Sequence, residues 1–203
     1  MVVEETIFIL DKIGIIAFAF AGVSMGVKKR LDIFGLFIVG ILTAVAGGII
    51  RDLILAKVPY AILHIDYLLY AFIASLVAIT IYHFKFFVPA KPLLIADTLG
   101  LGAFAAAGAA VALGANLSIL HTILFAIVTA VGGGMLRDIL VNEIPFVLKK
   151  EVYATAAGIG GVFSYLTFFL GYGIIAASIV CLVVTILVRT YALSKKFNLP
   201  VIK

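Results

Sequence analysis

The chain has 203 residues, of which 65% are hydrophobic and only 12% are charged, and its formal net charge is +5. So few polar side chains cannot cover the surface of a water-soluble domain, which excludes that class of protein. The positive charge is compatible with nucleic acid binding. However, the basic residues lie in short connections between apolar runs, and membrane topology explains them with no nucleic acid partner.

Seven apolar runs follow one another along the chain, and each predicts a membrane-spanning helix. A helix is required because hydrocarbon offers no partner to backbone N–H and C=O groups. We therefore expect residues 1–203 to form a single, all-α, polytopic membrane domain. The seven predicted spans cover roughly residues 6–27, 33–56, 61–84, 92–113, 118–141, 151–170 and 173–193.

The second half of the chain repeats the first. Residues 97–149 align with residues 11–63 without a gap, at an offset of 86. The decapeptide TAVAGGIIRD, which begins at Thr43, meets TAVGGGMLRD, which begins at Thr129. A repeat of this size in so apolar a chain predicts a duplicated membrane unit. The predicted units are repeat one at roughly residues 6–84, repeat two at roughly 92–170, and an extra seventh helix at roughly 173–193.

The distribution of basic residues predicts the orientation in the cell membrane. The first, third and fifth connections and the C-terminal tail are basic, whereas the fourth and sixth connections lack Lys and Arg. The positive-inside rule then places the N-terminus outside and the C-terminus in the cytoplasm. Because each repeat has an odd number of spans, the two repeats are expected to be inverted relative to each other. The basic residues of these connections and of the C-terminal tail are Lys28, Lys29, Arg30, Lys85, Lys91, Lys149, Lys150, Lys195, Lys196 and Lys203. The second connection contains only Lys57.

Adjacent glycines inside the second and fifth spans predict a kink or break in each helix. Carbonyls freed by a break favour cations, so these positions are candidates for the lining of a pathway. Thr43 and Thr129 share a helical face with Gly47 and Gly133, which makes their hydroxyls candidate pore-lining groups. Close helix packing through small residues is the alternative. The candidate kink glycines are Gly47, Gly48, Gly132, Gly133 and Gly134.

Charged residues occur at matched positions near the span ends. Such charges usually face protein or a water cavity, although an arginine can instead snorkel to the interface. We expect Asp11 to pair with Arg51 near the outer mouth of a pathway, and Asp97 to pair with Arg137 near the inner mouth. A matched tyrosine in each repeat could hydrogen bond to an aspartate there, or could belong to an interfacial aromatic belt. The candidate gating or mouth residues are Asp11, Arg51, Asp52, Tyr67, Asp97, Arg137, Asp138 and Tyr153.

The remaining polar residues give weaker indications. The cluster Lys28, Lys29 and Arg30 is either a site for anionic lipid headgroups or only a topology signal. Cys181 is the only cysteine, so no internal disulfide is possible. We find no metal-ligand spacing, no nucleotide-binding loop and no nucleophile with a base. We therefore expect no metal, no cofactor and no enzymatic activity.

The pattern Gly-Gly-Gly-x-x-Arg-Asp in the fifth span, with Gly-Gly-x-x-Arg-Asp in the second, resembles the prokaryotic branch of the trimeric intracellular cation (TRIC) channel family. The resemblance covers nearly the whole chain. It implies a homotrimer with one pore per protomer, glycine-kinked second and fifth helices around that pore, and permeation by monovalent cations, chiefly potassium but also sodium. It also implies closure by hydrogen bonds near the ends of these helices, with a gating role for Asp52 and Asp138. Ala46 replaces the first glycine in repeat one, which predicts a shallower kink there.

The sequence leaves two main functions open. One is a monovalent cation channel with an hourglass pore between the inverted repeats and selectivity from carbonyls and hydroxyls. The other is a secondary transporter of a small amino acid such as glycine, because related prokaryotic proteins have been described in this way. A membrane protein without a pathway is a third alternative. The shortage of acidic residues within the spans favours the channel.

Overall fold

The computed structural model describes residues 2–84, 91–149 and 152–195, and within these ranges the chain is all-α. Among the described helices, six are long and apolar enough to cross a membrane: α1, α2, α4, α5, α6 and α9. Helix α8 is a shorter apolar helix of 16 residues. The helices are α1 (Val2–Lys28), α2 (Ile33–Ile54), α3 (Tyr60–Leu63), α4 (Ile65–His83), α5 (Pro92–Gly114), α6 (Ile119–Leu140), α7 (Phe146–Lys149), α8 (Ala154–Phe169) and α9 (Gly173–Lys195).

The predicted fold of two three-helix repeats plus one helix is confirmed. Helices α1, α2 and α4 form the first repeat, α5, α6 and α8 form the second, and α9 is the extra helix. The third and sixth predicted spans differ in detail, because each is preceded by a separate four-residue helix, α3 or α7. Pro59 starts α3, and the extended backbone of His64 separates α3 from α4. Lys85, Lys150, Lys196 and Lys203 lie outside the described residues.

The repeat extends to the backbone conformation of the helix ends. Four non-glycine residues in the described part of the chain have positive φ values, each just after a helix, and they form two pairs at the offset of 86. Arg30 (φ 57°) matches Asn116 (φ 54°), and Ala56 (φ 54°) matches Asn142 (φ 55°). A left-handed residue is a common way to end a helix and to turn the chain. The two halves therefore leave their helices by the same turns.

Helices α1 and α5 form the centre of the molecule. They pack against each other, and α2 packs against α6, so both contacts cross from one repeat to the other. Helix α4 packs on α1 and α2, and α8 packs in the same way on α5 and α6, while α9 covers α8 and α5. Helix α4 exposes large apolar side chains such as Leu69, Phe72 and Ile73. Such a surface suits lipid rather than water.

The glycines predicted a kink or a break in the second and fifth spans. Helices α2 and α6 are continuous through all five positions, so they contain no break there. A helix in apolar surroundings keeps its hydrogen bonds because freed groups would find no partner. Gly47 and Gly133 lie where α2 crosses α6. A Cβ on Gly47 would lie less than 3.0 Å from the carbonyl oxygen of Thr129, and one on Gly133 would lie equally close to the carbonyl oxygen of Thr43. Close packing therefore explains these two glycines, and a bend without a break stays a prediction.

Candidate functional site

The first charge cluster consists of Asp11, Arg51, Asp52 and Tyr67. Arg51 donates from Nη1 and Nη2 to the two carboxylate oxygens of Asp11, at 2.8 and 3.0 Å. Its Nε donates to Asp52 Oδ1 at 2.8 Å. A guanidinium that meets a carboxylate through two parallel hydrogen bonds forms one of the strongest polar pairs in proteins. The predicted pairing of Asp11 with Arg51 is confirmed.

The same cluster fixes the ends of three elements. The second oxygen of Asp52 accepts a hydrogen bond from the backbone N–H of Tyr60 at 2.9 Å, which joins the end of α2 to α3. The hydroxyl of Tyr67, on α4, donates to Asp11 Oδ2 at 3.4 Å. Arg51 is 1% exposed and Tyr67 is 3% exposed. The alternatives of a snorkelling arginine and an interfacial tyrosine belt are therefore wrong, because both side chains are buried in protein.

The second charge cluster consists of Asp97, Arg137, Asp138 and Tyr153, all at matched positions. Arg137 Nη1 donates to Asp97 Oδ1 at 2.6 Å, and its Nε donates to Asp138 Oδ1 at 2.8 Å. Asp138 Oδ2 accepts from the backbone N–H of Phe146 at 2.8 Å. The predicted pairing of Asp97 with Arg137 is confirmed, and these four side chains are fully buried. Because these side chains are fully buried, the removal of one charge would leave its partner unpaired in the interior, which would destabilise the protein.

The second cluster contains a residue that the sequence analysis missed. Arg189 of α9 is buried, donates from Nη1 to the carbonyl oxygen of Val152 at 3.2 Å, and stacks its guanidinium 4.8 Å from the centre of the Tyr153 ring. Nothing in the first repeat matches it, because α9 has no repeat partner. A lone arginine inside the seventh apolar run was the signal, since charges within spans are costly and usually functional.

An aromatic pair lies between the two clusters. Phe18 and Phe104, which match at the offset of 86, are buried with ring centres 5.2 Å apart. Gly14 and Gly100 leave room for these rings, since a Cβ at either position would lie less than 3.0 Å from one of them. The pair therefore fills the centre of the repeat interface with apolar atoms.

The candidate pore-lining threonines are fully buried in helix contacts. Thr43 donates from its hydroxyl to the carbonyl oxygen of Val39 in its own helix. Thr129 lies against Gly108, and its hydroxyl has no hydrogen-bond partner in the described parts of the chain. Neither residue borders the two spaces described next, so their pore-lining role stays a prediction.

A cavity of about 350 Å³ leads from one end of the molecule to the first charge cluster. We call this end the first mouth. Beyond Arg51 and Asp52, a space of about 10 Å³ borders Asp11 and Gly48 and ends at Phe104. That volume is comparable to what a single water molecule requires. The cavity lining is Val3, Glu4, Ile7, Arg51, Asp52, Leu55, Lys57, Tyr60, Val111, Gly114 and Ala115.

The other end of the molecule, which we call the second mouth, contains the residues that match the cavity lining at the offset of 86. There these residues are packed together. An apolar cluster, which also contains Val39 and Leu31, fills this position. Lys29 Nζ forms a salt bridge with a carboxylate oxygen of Glu143 beside it. The two mouths therefore differ in the described residues: the first is open and the second is closed. The closing residues are Met25, Leu93, Val141 and Phe146, which match Val111, Ile7, Leu55 and Tyr60 of the cavity.

The proposed lipid-headgroup residues differ from one another in their contacts. Lys28 and Arg30 are exposed, whereas Lys29 is half-buried and holds Glu143. Lys29 thus has a role within the protein. Headgroup binding by Lys28 and Arg30 stays a prediction.

Comparison with known proteins identifies the same duplication. A family model described as "Glycine transporter" matches residues 8–83 and again residues 94–169, two segments that lie 86 residues apart. The chain is 35% identical to the UPF0126 inner membrane protein YadS of Escherichia coli K12 over 198 residues, which covers 96% of this chain and 95% of that protein. It is 38% identical over 161 residues to the UPF0126 membrane protein YvgT of Bacillus subtilis, covering 75% of this chain and 76% of that protein.

Solved structures share the whole fold. One, described as the structural basis for conductance through TRIC cation channels, is 40% identical, with a TM-score of 0.86 and 96% of each chain covered. A prokaryotic TRIC channel crystallised in 0.5 M KCl is 38% identical, with a TM-score of 0.85, covering 95% of this chain and 98% of that one. The TRIC orthologue of Rhodobacter sphaeroides is 29% identical, with a TM-score of 0.85, covering 94% and 98%.

Proposed function

We propose that this chain is a channel for monovalent cations, chiefly potassium but also sodium. The chain belongs to the prokaryotic TRIC channel family, and the family model described as "Glycine transporter" matches both of its halves. The observation that carries the proposal is the pair of matched, buried charge clusters on either side of the Phe18–Phe104 pair. The 40% identity to a TRIC cation channel over 96% of the chain supports it.

The charges at the first mouth suit a cation. Asp11 and Asp52 oppose the single guanidinium of Arg51, so two negative charges and one positive charge leave one excess negative charge. A ring or cluster of acidic groups is a common way to favour cations over anions in a pore. The open cavity of about 350 Å³ brings water to this cluster. A cation would then be attracted to the first mouth before it reaches the narrow part of the pathway.

The narrow part of the pathway would run past Gly48 and Gly134. A Cβ on Gly48 would have as its nearest atom Arg51 Nη2 at 3.8 Å. One on Gly134 would lie 3.1 Å from the Tyr153 hydroxyl and 3.7 Å from Arg137 Nη2. Gly48 thus leaves space next to its arginine, and Gly134 has a tighter contact only with a side-chain hydroxyl, whereas Gly47 and Gly133 lie against backbone carbonyls. We assign to them the pore-lining role, and a bend of α2 and α6 near them would widen this space.

In the proposed channel, the described arrangement would be the closed state. The Phe18–Phe104 pair blocks the centre, and the apolar cluster with the Lys29–Glu143 salt bridge blocks the second mouth. Opening requires that α6 and α7 move away from the end of α1. Asp138 accepts a hydrogen bond from the Phe146 N–H, which joins α6 to α7, so these two helices would move together during gating. Asp52 would join α2 to α3 in the same way at the first mouth.

The positive-inside rule gives the channel its orientation: the first mouth faces the outside and the second mouth faces the cytoplasm. Lys28 and Arg30 would then reach anionic headgroups of the inner leaflet. The exposed apolar faces of the outer helices supply area for a homotrimer and for lipid contact.

Potassium flux from liposomes tests the function. Purified protein is reconstituted into potassium-loaded vesicles, and efflux is followed against empty vesicles and vesicles with a potassium ionophore. We expect efflux that depends on the protein and is carried also by sodium. Efflux equal to that of empty vesicles would refute the channel.

A glycine carrier is the second candidate, and the description of the matching family model favours it. A carrier would use the same inverted repeats to alternate access to a site at mid-membrane. Radiolabelled glycine uptake into the same vesicles separates the two functions. A carrier gives saturable uptake of glycine, whereas the proposed channel gives none beyond empty vesicles.

A further inference from the structure

Arg189 is a charged residue beside the second charge cluster that has no counterpart beside the first. It belongs to α9, which has no counterpart in the first repeat, and its side chain is 2% exposed. It reaches the second charge cluster by stacking on Tyr153. A full positive charge held in the interior of a membrane protein is costly, and it is kept where it serves a pathway or a partner charge.

The formal charges of the two clusters follow from their members. In the first cluster Asp11 and Asp52 face Arg51, which leaves one negative charge. In the second cluster Asp97 and Asp138 face Arg137 in the same way. The addition of Arg189 brings that sum to zero.

Arg189 forms a hydrogen bond with a backbone carbonyl and none with a described carboxylate. Its Nε and Nη2 have no hydrogen-bond partner among the described residues, and neither does the Oδ2 oxygen of Asp97. Arg137 meets Asp97 through one hydrogen bond, whereas Arg51 meets Asp11 through two. The second cluster is therefore less tightly paired, and no carboxylate among the described residues forms a hydrogen bond with the guanidinium of Arg189 beside it.

We propose that Arg189 is a specificity-determining residue: a permanent counter-charge that cancels the negative charge of the second cluster, lowers cation occupancy there, and makes conduction depend on the direction of current. The proposal rests on the proposed cation channel. An unpaired charge in a low-dielectric interior acts over several ångströms, and its effect on permeant ions weakens as salt screens it. The first cluster has no buried arginine beside it, and the two further charges that line its cavity, Glu4 and Lys57, are of opposite sign. It therefore keeps its attraction for cations.

The test compares single-channel currents of the wild type with those of Arg189→Met and Arg189→Lys in planar bilayers. Removing the charge should raise the potassium conductance by at least about twofold at roughly 0.1 M salt, and the gain should fall away near 1 M salt. Currents at equal positive and negative voltages should become more alike. Arg189→Lys should retain most of the wild-type conductance and asymmetry, because it keeps the charge.

Arg189→Met is expected to fold, since it leaves in the second cluster the same three charges that the first cluster holds without a fourth. Arg189→Gln is a second neutral variant that can still donate to the Val152 carbonyl. A folded neutral variant with wild-type conductance and asymmetry at low salt would overturn the proposal. It is also overturned if neither neutral variant folds while Arg189→Lys does, because Arg189 would then only hold α9 in place. A wild type without current refutes the channel itself, which is a separate result.

Discussion

Replacing Gly47 by alanine should destabilise the protein, whereas replacing its neighbour Gly48 should not. A Cβ on Gly47 would lie less than 3.0 Å from the Thr129 carbonyl oxygen, so α2 and α6 would have to move apart. A Cβ on Gly48 would have its nearest neighbour, Arg51 Nη2, at 3.8 Å, which is ordinary contact. The two positions differ in what surrounds them, although they are adjacent in one helix.

The adjacent positions isolate the cost of overpacking. Alanine is better than glycine in a helix interior by about 1 kcal/mol, and this gain is shared by both variants. Forcing an extra group into a packed contact costs about 1–3 kcal/mol. We therefore expect Gly47→Ala to be less stable than Gly48→Ala by about 1–3 kcal/mol. Gly133→Ala should behave like Gly47→Ala, because its Cβ would meet the Thr43 carbonyl oxygen.

Unfolding in detergent micelles, followed by circular dichroism, measures the difference. Both variants are compared with the wild type under one set of conditions. Equal stability of Gly47→Ala and Gly48→Ala would refute the close contact between α2 and α6, and with it the packing explanation for these glycines.

Three further predictions follow from the charges. Asp97→Asn and Arg137→Gln should each lower the stability by about 3–5 kcal/mol, because each leaves a buried charge unpaired. In a double-mutant cycle on thermal stability, the double variant should recover part of this loss, whereas strictly additive losses would contradict the pair. Opening the Lys29–Glu143 salt bridge with Glu143→Gln should raise the open probability in single-channel recordings, and an unchanged open probability would separate the salt bridge from closure. Lys57→Cys should react with an impermeant thiol reagent applied from outside; labelling only from the cytoplasm would reverse the orientation.

The sequence predicted the fold because the repeat and the apolar runs carry it. The spans predicted the pairing of Asp11 with Arg51 and of Asp97 with Arg137, because each acid lies on the same membrane side as its arginine, and the 86-residue offset repeats the pair. The role of the glycines was harder to predict, because a glycine in a helix indicates either a bend or a close neighbour. At Gly47, only the close approach of α2 to α6 distinguishes a packing contact from a bend.

Other features depend on contacts between residues far apart in the chain. The closed second mouth arises where the end of α1 meets the end of α6, as in the Lys29–Glu143 salt bridge across 114 positions. The repeat alone would have predicted the same packing at both mouths, since it does not indicate at which end the matched side chains pack together. The repeat did not identify Arg189, because α9 has no counterpart in the other half of the chain.

Recording of purified protein in a planar bilayer under a potassium gradient tests the central claim most directly. The account predicts unitary current steps that reverse near the potassium equilibrium potential and persist when glycine is absent. A membrane with inserted, folded protein that shows no current steps, while the same protein takes up glycine in a saturable manner, would contradict the channel and establish the carrier.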